Sequence, residues 1–278
     1  MKIKSNLPIK VAGKQLSINK LIPNIMTTMA LCCGLTAVRF AIEQRWEYAV
    51  IAILLAAILD NLDGRIARLI GGTSGFGAQL DSLGDAISFG VAPAMVMYFW
   101  ALDELGRAGW AAALLFVVCA AVRLARFNLE SEDHNKPAYS YNYFTGMPTP
   151  ASAGLALTPL VLSFQFGTEY LQNPAFIACW MVFLAAMMIS TVPTFSFKKI
   201  KIQRDDISLM LVGVGVIMAA LFAEPWLTLG LLALVYLSLI PISYHKFSQQ
   251  RRAHLAQQSA TGDFVKSNTD ELQRRQQM

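Results

Sequence analysis

The sequence predicts an all-α integral membrane protein of about eight transmembrane helices, and three observations carry that expectation. Of its 278 residues 55% are hydrophobic and only 15% charged. Apolar runs of about twenty residues, the length that crosses a bilayer as a helix, recur along the chain. Lys and Arg concentrate in alternate connections between those runs, as they do on the inner side of membrane proteins.

The expected helices cover 20–42, 46–69, 77–102, 108–128, 147–166, 174–194, 206–223 and 225–244. Helix 1 opens at Pro23, a residue that fits the first turn of a helix because its missing N–H has no partner there. Helix 2 is apolar from Tyr48 to Leu59 and then turns abruptly polar. Gly71, Gly72, Thr73, Ser74 and Gly75 form a flexible break before helix 3. Helix 3 carries Ser88, Gly90 and Pro93, a small and bent stretch that lets other backbone come close. Helix 5 follows the turn at Gly146 and has Pro148 and Pro150 in its first turn. No connection is long enough for a separate soluble domain. The expected organisation is an N-terminal segment (1–19), a membrane domain (20–246) and a polar Gln/Ser/Arg-rich tail (247–278). No cleavable secretory signal is expected, because the first apolar run follows a lysine-bearing polar stretch and is itself long enough to span.

An even number of helices places both termini on one side. That side receives Lys2, Lys4, Lys10, Lys14, Lys20, Arg65, Arg68, Arg123, Arg126, Lys136, Lys198, Lys199, Lys201, Arg204, Lys246, Arg251 and Arg252, against Arg39, Arg45 and Arg107 on the other. The bias predicts cytoplasmic termini in a multi-pass inner (cytoplasmic) membrane protein. The net charge of +5 is spread over juxtamembrane turns beside anionic lipid rather than gathered in a basic domain, so no nucleic-acid partner is expected. Cys32, Cys33, Cys119 and Cys179 lie in apolar helices without metal-ligand spacing and read as small core residues. The histidines at 134, 245 and 254 fall in loops or the tail. Trp100, Trp110, Trp180 and Trp226 lie near helix ends or within helices and read as packing or interface anchors.

One feature resists a purely structural reading. Asp60, Asp63, Asp81 and Asp85 flank the break between helices 2 and 3. Acidic side chains cost roughly 2.5–3.5 kcal/mol each at the centre of a membrane helix, so four together point to a cation or a reaction. Asp60 and Asp63 are spaced i,i+3, and Asp81 and Asp85 i,i+4, so each pair shares a helix face. Two such faces make an all-oxygen pocket suited to Mg²⁺ or Mn²⁺ and unsuited to zinc. Asp81 and Asp85 also sit in the first turns of helix 3, where the helix dipole favours anions. Gly64 and Ala67 keep the approach to the acids low. Arg68 offers a planar fork for an anionic oxygen. Thr73 and Ser74 supply hydroxyls beside the site, and Gly77 either packs the helices closely or bares its N–H. A surface ion-pair patch is a poor alternative for four acids at these spacings with interposed glycines.

Asp60-x-x-Asp63-Gly64-x-x-Ala67-Arg68, eight residues, then Gly77-x-x-x-Asp81-x-x-x-Asp85 resembles the signature of the CDP-alcohol phosphatidyltransferase family at every fixed position. The resemblance implies a bundle of that family's type and the transfer of a phosphatidyl group from a CDP-linked lipid to an alcohol, with CMP leaving. It implies two divalent ions held by Asp60, Asp63, Asp81 and Asp85, with Asp85 also taking the proton of the acceptor hydroxyl. It places the CDP part against Gly64, Arg68 and Ser74, with Thr73 and Gly77 beside them. Asn24 and Thr27 add a wall, since family members often carry a similar Pro-Asn-x-x-Thr. Phosphoryl transfer depends on positioning and charge neutralisation more than on a protein nucleophile, which agrees with this residue set. A homodimer is expected on the same ground.

Two later segments narrow the acceptor. Arg123-Leu124-Ala125-Arg126-Phe127-Asn128 ends helix 4, and Phe144-x-Gly146-x-Pro148-x-Pro150 starts helix 5. Together with Asp81–Pro93 they resemble the integral-membrane phosphatidylserine synthase branch, with Met147 where leucine is expected. Eight helices also fit that branch better than the six of the common core. The resemblance implies L-serine as acceptor and CDP-diacylglycerol as donor, with Arg123, Arg126 and Asn128 as candidate serine contacts. The arginines serve equally as positive-inside anchors. Rival readings are a sister enzyme taking glycerol 3-phosphate or an inositol phosphate, which would want more cations, and a secondary transporter, whose acids more often sit at mid-membrane. A non-catalytic scaffold is the third.

Overall fold

The protein's structure, a computed structural model, describes residues 18–70, 75–132, 143–195, 207–244 and 248–249. The N-terminal residues 1–17, Thr73, Ser74, the three histidines and most of the polar tail lie outside the described residues. Helices α1 (Ile18–Ile42) and α2 (Trp46–Leu69) form an antiparallel hairpin. Ala37, Ala41, Ala49, Ala52 and Ala56 are all buried in this hairpin, and such small residues let two membrane helices approach closely. The turn closes through a 2.8 Å hydrogen bond from Arg45 N–H to Phe40 O. Pro23 lies inside α1 rather than opening it, because the helix begins at Ile18.

The next span, Gly75–Trp100, is continuous but not uniform. It comprises α3 (Gly75–Asp85), a π-helical segment (Ala86–Val91) and α4 (Ala92–Trp100). In the π segment Ala92 N–H reaches back five residues to Ile87 O. Pro93 follows, and it has no N–H to continue the ordinary ladder. The wide turn buries Ser88, Phe89 and Gly90. A Cβ placed on Gly34 would lie 2.8 Å from Ser88 Cα, so α1 and this turn touch backbone to backbone. Ser88 Oγ donates to Ala30 O across that contact at 3.2 Å. The span ends at Trp100, short of the expected residue 102, and a 3₁₀ turn (Leu102–Leu105) leads into α5 (Arg107–Glu132).

Two further expectations need correction. The expected helix over 147–166 is split into α6 (Thr149–Ala156) and α7 (Thr158–Phe166). Pro159 cannot donate to Leu155 O four residues back. The Trp180 indole N–H supplies a donor to that carbonyl at 2.9 Å. The expected helix over 174–194 stops early as α8 (Pro174–Ile189). Beyond it, β2 (Pro193–Phe195) pairs antiparallel with β1 (Tyr143–Thr145), in the register Tyr143↔Phe195, Phe144↔Thr194 and Thr145↔Pro193. Pro193 has no N–H to give and sits at the end of this short ribbon, where the loss is tolerated. Helices α9 (Ile207–Ala223) and α10 (Pro225–Tyr244) follow.

The core lies where α4, α5, α6 and α8 meet. Met97, Phe116, Met147, Leu155, Ile177, Met181, Leu184 and Met188 are fully buried there. Among the described residues, Leu21–Ile42, Gly75–Trp100, Arg107–Glu130 and Pro225–Tyr244 are long and apolar enough to cross a membrane. Pro174–Ile189 and Ser208–Ala223 are shorter apolar helices. The chain is thus an all-α membrane protein, as its composition predicts.

Candidate active site

The second half of α2 and the start of α3 bring the acids together. The i,i+3 and i,i+4 pairs face each other, and carboxylate oxygens of Asp60, Asp63 and Asp81 lie within 4.8 Å of one another. Asp85 joins from one turn further along α3 by a hydrogen bond with Asp60 rather than as a member of that trio. Asp63 is buried at 3% exposure and the other three are half-buried. Among the described residues no Lys or Arg stands within ion-pair distance of any of the four. Two like charges about 5 Å apart repel by about 3 kcal/mol at an effective dielectric of 20, so the cluster calls for a cation. Three carboxylate oxygens that close together match the all-oxygen donor set that Mg²⁺ takes. The donor set therefore fits a hard divalent ion, which Asp60, Asp63 and Asp81 would hold.

Asp63 is fixed from two sides. Thr27 Oγ1, itself buried, donates to Asp63 Oδ2 at 2.7 Å. The Gly64 N–H donates to the same carboxylate. Thr27 is held in turn by α3: a Cβ on Gly84 would lie 3.3 Å from Thr27 Cγ2. Thr27 thus reaches the cluster through Asp63. Asn24 lies one turn earlier, lining a groove of about 460 Å³ between α1 and α3 together with Leu21, Ile25, Met29, Phe76 and Leu80. Gly64 borders open space, and a Cβ there would meet nothing within 4 Å. Fold packing therefore does not require glycine at 64. Arg68 is exposed, and its Nε donates to Gly64 O at 2.9 Å. Gly77 lies half-buried in the first turns of α3.

The three residues expected to meet the acceptor separate clearly. Arg123 is buried at 6% exposure. Its Nη1 donates to Thr149 Oγ1 at 3.4 Å, and its guanidinium carbon lies 5.1 Å from the Phe127 ring centre. It also lies within electrostatic reach of Asp85 and Tyr236. Arg126 turns away: its Nη1 donates to Ile189 O at 2.8 Å, at the C-terminal end of α8, where an unsatisfied carbonyl and the helix dipole favour a cation. Asn128 Nδ2 donates to Ser82 Oγ at 2.8 Å, which ties α5 to the turn of α3 between Asp81 and Asp85. Sequence reasoning did not single out Thr149, Ser82 or Tyr236. Thr149 stands inside the Gly-x-Pro-x-Pro segment, whereas a tyrosine in an apolar helix carries no signal of its own.

The geometry is therefore an acidic pocket at one end of the bundle, a buried arginine beside it, and an open approach at Gly64. Comparison with known proteins agrees with it. The model of the CDP-alcohol phosphatidyltransferase family matches residues 20–193, and that of CDP-alcohol phosphatidyltransferase 2 matches 207–241. The chain is similar to the CDP-diacylglycerol--serine O-phosphatidyltransferase of Mycobacterium leprae (strain TN), with 36% identity over 255 residues, 87% of this chain and 85% of that protein. It is similar to the protein of the same name from Helicobacter pylori (strain ATCC 700392 / 26695), 36% identical over 181 residues, 65% of this chain and 74% of that one. The archaetidylserine synthase of Methanothermobacter thermautotrophicus is 33% identical over 174 residues, covering 62% of this chain and 68% of that protein. With its four acids, its fold and these likenesses together, the chain belongs to the CDP-alcohol phosphatidyltransferase family.

Proposed function

We propose that the protein transfers the phosphatidyl group of CDP-diacylglycerol to the hydroxyl of L-serine, giving phosphatidylserine and CMP. The observation that carries this reading is the buried Arg123 within electrostatic reach of Asp85, beside the trio Asp60, Asp63 and Asp81. One end of that arrangement suits a diphosphate with its cations, and the other suits a small acceptor with a carboxylate. The names of the similar proteins have phosphatidyl or archaetidyl transfer and serine in common.

Each residue has a task in this reading. Asp60, Asp63 and Asp81 hold divalent ions, two per site with Asp85, as Mg²⁺ or Mn²⁺. Bound there, such ions would neutralise the diphosphate and the charge that develops on departing CMP. Gly64 leaves room for the donor's head, with Arg68 and Gly77 at its sides and Asn24 and Thr27 behind; Thr73 and Ser74 are further candidates. Arg123 holds the serine carboxylate in a planar fork, which aims the serine hydroxyl at the phosphorus. Asp85 accepts the hydroxyl proton as the new P–O bond forms and the bond to CMP breaks. Arg126 and Asn128 support this centre through Ile189 and Ser82.

A phosphorylated acceptor such as glycerol 3-phosphate or an inositol phosphate would need more positive charge than Arg123 supplies, since Arg126 is engaged with Ile189 O. The proposed setting is the inner membrane, with both termini and the acidic pocket facing the cytoplasm, where serine and CMP are soluble. A homodimer built around a membrane domain of residues 20–246 completes the proposal. The test is an acceptor panel. Purified protein with CDP-diacylglycerol should release CMP on addition of serine, and not on addition of glycerol 3-phosphate or inositol phosphate. Release with a phosphorylated acceptor instead would move the protein to a sister activity.

A further inference from the structure

The Phe144-x-Gly146-x-Pro148-x-Pro150 segment takes no part in the proposed transfer, yet it is firmly held. Gly146 stands at φ +75°, where a Cβ would lie 2.6 Å from Met188 O. Its N–H donates to Val192 O at 3.0 Å, and the Met147 N–H donates to Met187 O at 3.2 Å. These bonds pin the turn to the end of α8 and the residues just beyond it. Pro148, at φ −60°, caps α6, and its carbonyl accepts from Ser152 N–H at 2.9 Å and from Ser152 Oγ at 3.2 Å. The next side chain is that of Thr149, fully buried, and its Oγ1 accepts from Arg123 Nη1 on α5 at 3.4 Å. Arg123 is itself buried, with its guanidinium carbon 5.1 Å from the centre of the Phe127 ring. Among the described residues no carboxylate lies within ion-pair distance of Arg123, and its one side-chain hydrogen bond goes to Thr149. A guanidinium carries five N–H donors, and a buried one has to satisfy them.

We infer that Thr149 is a positioning residue of the acceptor site: the turn from Gly146 to Pro150 presents its hydroxyl to Arg123 and so orients the guanidinium for a carboxylate. This rests on the serine reading given above. A guanidinium grips a carboxylate best with both N–H bonds in one plane, so the orientation of that plane decides the affinity. A long arginine side chain has many rotamers, and leaving it loose would add an entropic cost to each acceptor bound. Two contacts from different directions remove that freedom: the Phe127 ring lies against the guanidinium and the Thr149 hydroxyl holds one edge. Thr149 is suited to the task because it is itself rigid. Its side chain is β-branched, it stands between two prolines, and the turn that carries it is hydrogen-bonded to α8 and to Val192. The segment thus has a chemical use beyond starting α6: it brings a fixed acceptor oxygen to a cation on α5, 26 residues earlier in the chain.

The experiment uses the full chain in mixed micelles with CDP-diacylglycerol. Thr149→Val keeps the shape and removes the hydroxyl, whereas Thr149→Ser keeps the hydroxyl and removes a methyl group. Hydrogen bonds to charged groups are the stronger kind and this one is long, so the serine KM should rise about tenfold in Thr149→Val. It should stay within about twofold of wild type in Thr149→Ser, and so should the CDP-diacylglycerol KM in both variants. A role in packing alone predicts the opposite order, because valine preserves the buried volume and serine does not. In an Arg123→Ala background Thr149→Val should add nothing to the serine KM, since the hydroxyl acts through the guanidinium. Should Thr149→Val not fold, Thr149→Ala gives the same comparison with Thr149→Ser. A serine KM unchanged in the variant without the hydroxyl, an equal rise in Thr149→Ser, equal rises in both KM values, or a further rise in the Arg123→Ala background overturns the inference. Wild-type CMP release that does not depend on serine overturns the serine reading itself, a separate outcome.

Discussion

Thr27 Oγ1 donates a 2.7 Å hydrogen bond to Asp63 Oδ2, and this bond joins α1 to the acidic end of α2. Both residues are buried, Thr27 at 6% exposure and Asp63 at 3%. Groups that orient a metal-binding carboxylate usually change metal affinity by about 10–100-fold when removed. Thr27→Val keeps the shape and loses the donor. It should raise the Mg²⁺ or Mn²⁺ concentration needed for half-maximal CMP release by about that factor, while Thr27→Ser stays near wild type. A metal titration of both variants checks this, and equal curves for Val and wild type would refute the orienting role.

The four acids should not fail alike. Asp60→Ala, Asp63→Ala and Asp81→Ala each remove an oxygen donor from the trio, so activity should be lost at any practical metal concentration. Asp85 stands outside that trio as the proposed base. Asp85→Asn should lower kcat by about 10²–10⁴-fold, the usual contribution of a positioned proton acceptor. Full turnover in Asp85→Asn would remove the base assignment. EDTA should abolish CMP release by the wild type, and added Mg²⁺ or Mn²⁺ should restore it.

Arg123 and Arg126 lie one turn apart on α5 and should behave differently. Arg123→Ala takes away the buried cation near Asp85, so the serine KM should rise steeply with little effect on the CDP-diacylglycerol KM. Arg126→Ala removes the hydrogen bond to Ile189 O at the end of α8. That bond is worth about 1 kcal/mol, so the melting temperature should fall by about 2–4 °C while the serine KM holds. Thermal unfolding and steady-state kinetics on the two variants separate the roles. A raised serine KM in Arg126→Ala alone would exchange them.

Two glycines give a contrast in the same way. Gly146 has φ +75°, and a Cβ there would lie 2.6 Å from Met188 O and 2.8 Å from Ser190 O. Gly146→Ala should therefore disrupt the turn that sets the β1–β2 ribbon beside α8, and should yield little folded protein. Gly64→Ala meets no atom within 4 Å and should fold normally. Its effect should be on the CDP-diacylglycerol KM, because the methyl group fills the space proposed for the donor. Size-exclusion profiles and donor titrations decide both.

Much of this was legible in the residues. The i,i+3 and i,i+4 spacing of the aspartates placed them on facing surfaces, because helix periodicity converts spacing directly into direction. The small, bent stretch around Ser88 and Pro93 was legible as a point of close approach, although not as a π turn. What the sequence concealed lies in contacts between distant elements. Nothing local marks Arg126 as the partner of Ile189 O or Arg123 as a buried neighbour of Asp85, since both are arginines at the positive end of one helix. The break at Leu157 was concealed for a similar reason: Pro159 weakens the helix, and the replacement donor is Trp180, on a different helix. The β1–β2 ribbon is three residues a side, too short to leave a periodic pattern.

The central claim is that the acidic pocket and Arg123 together perform one metal-dependent transfer to serine. The direct measurement is CMP release by the purified protein from CDP-diacylglycerol, with serine and divalent metal each present or omitted. CMP should form only when both are present, with phosphatidylserine appearing mole for mole. CMP release that proceeds without serine, or phosphatidylserine formation that persists in EDTA, would contradict it.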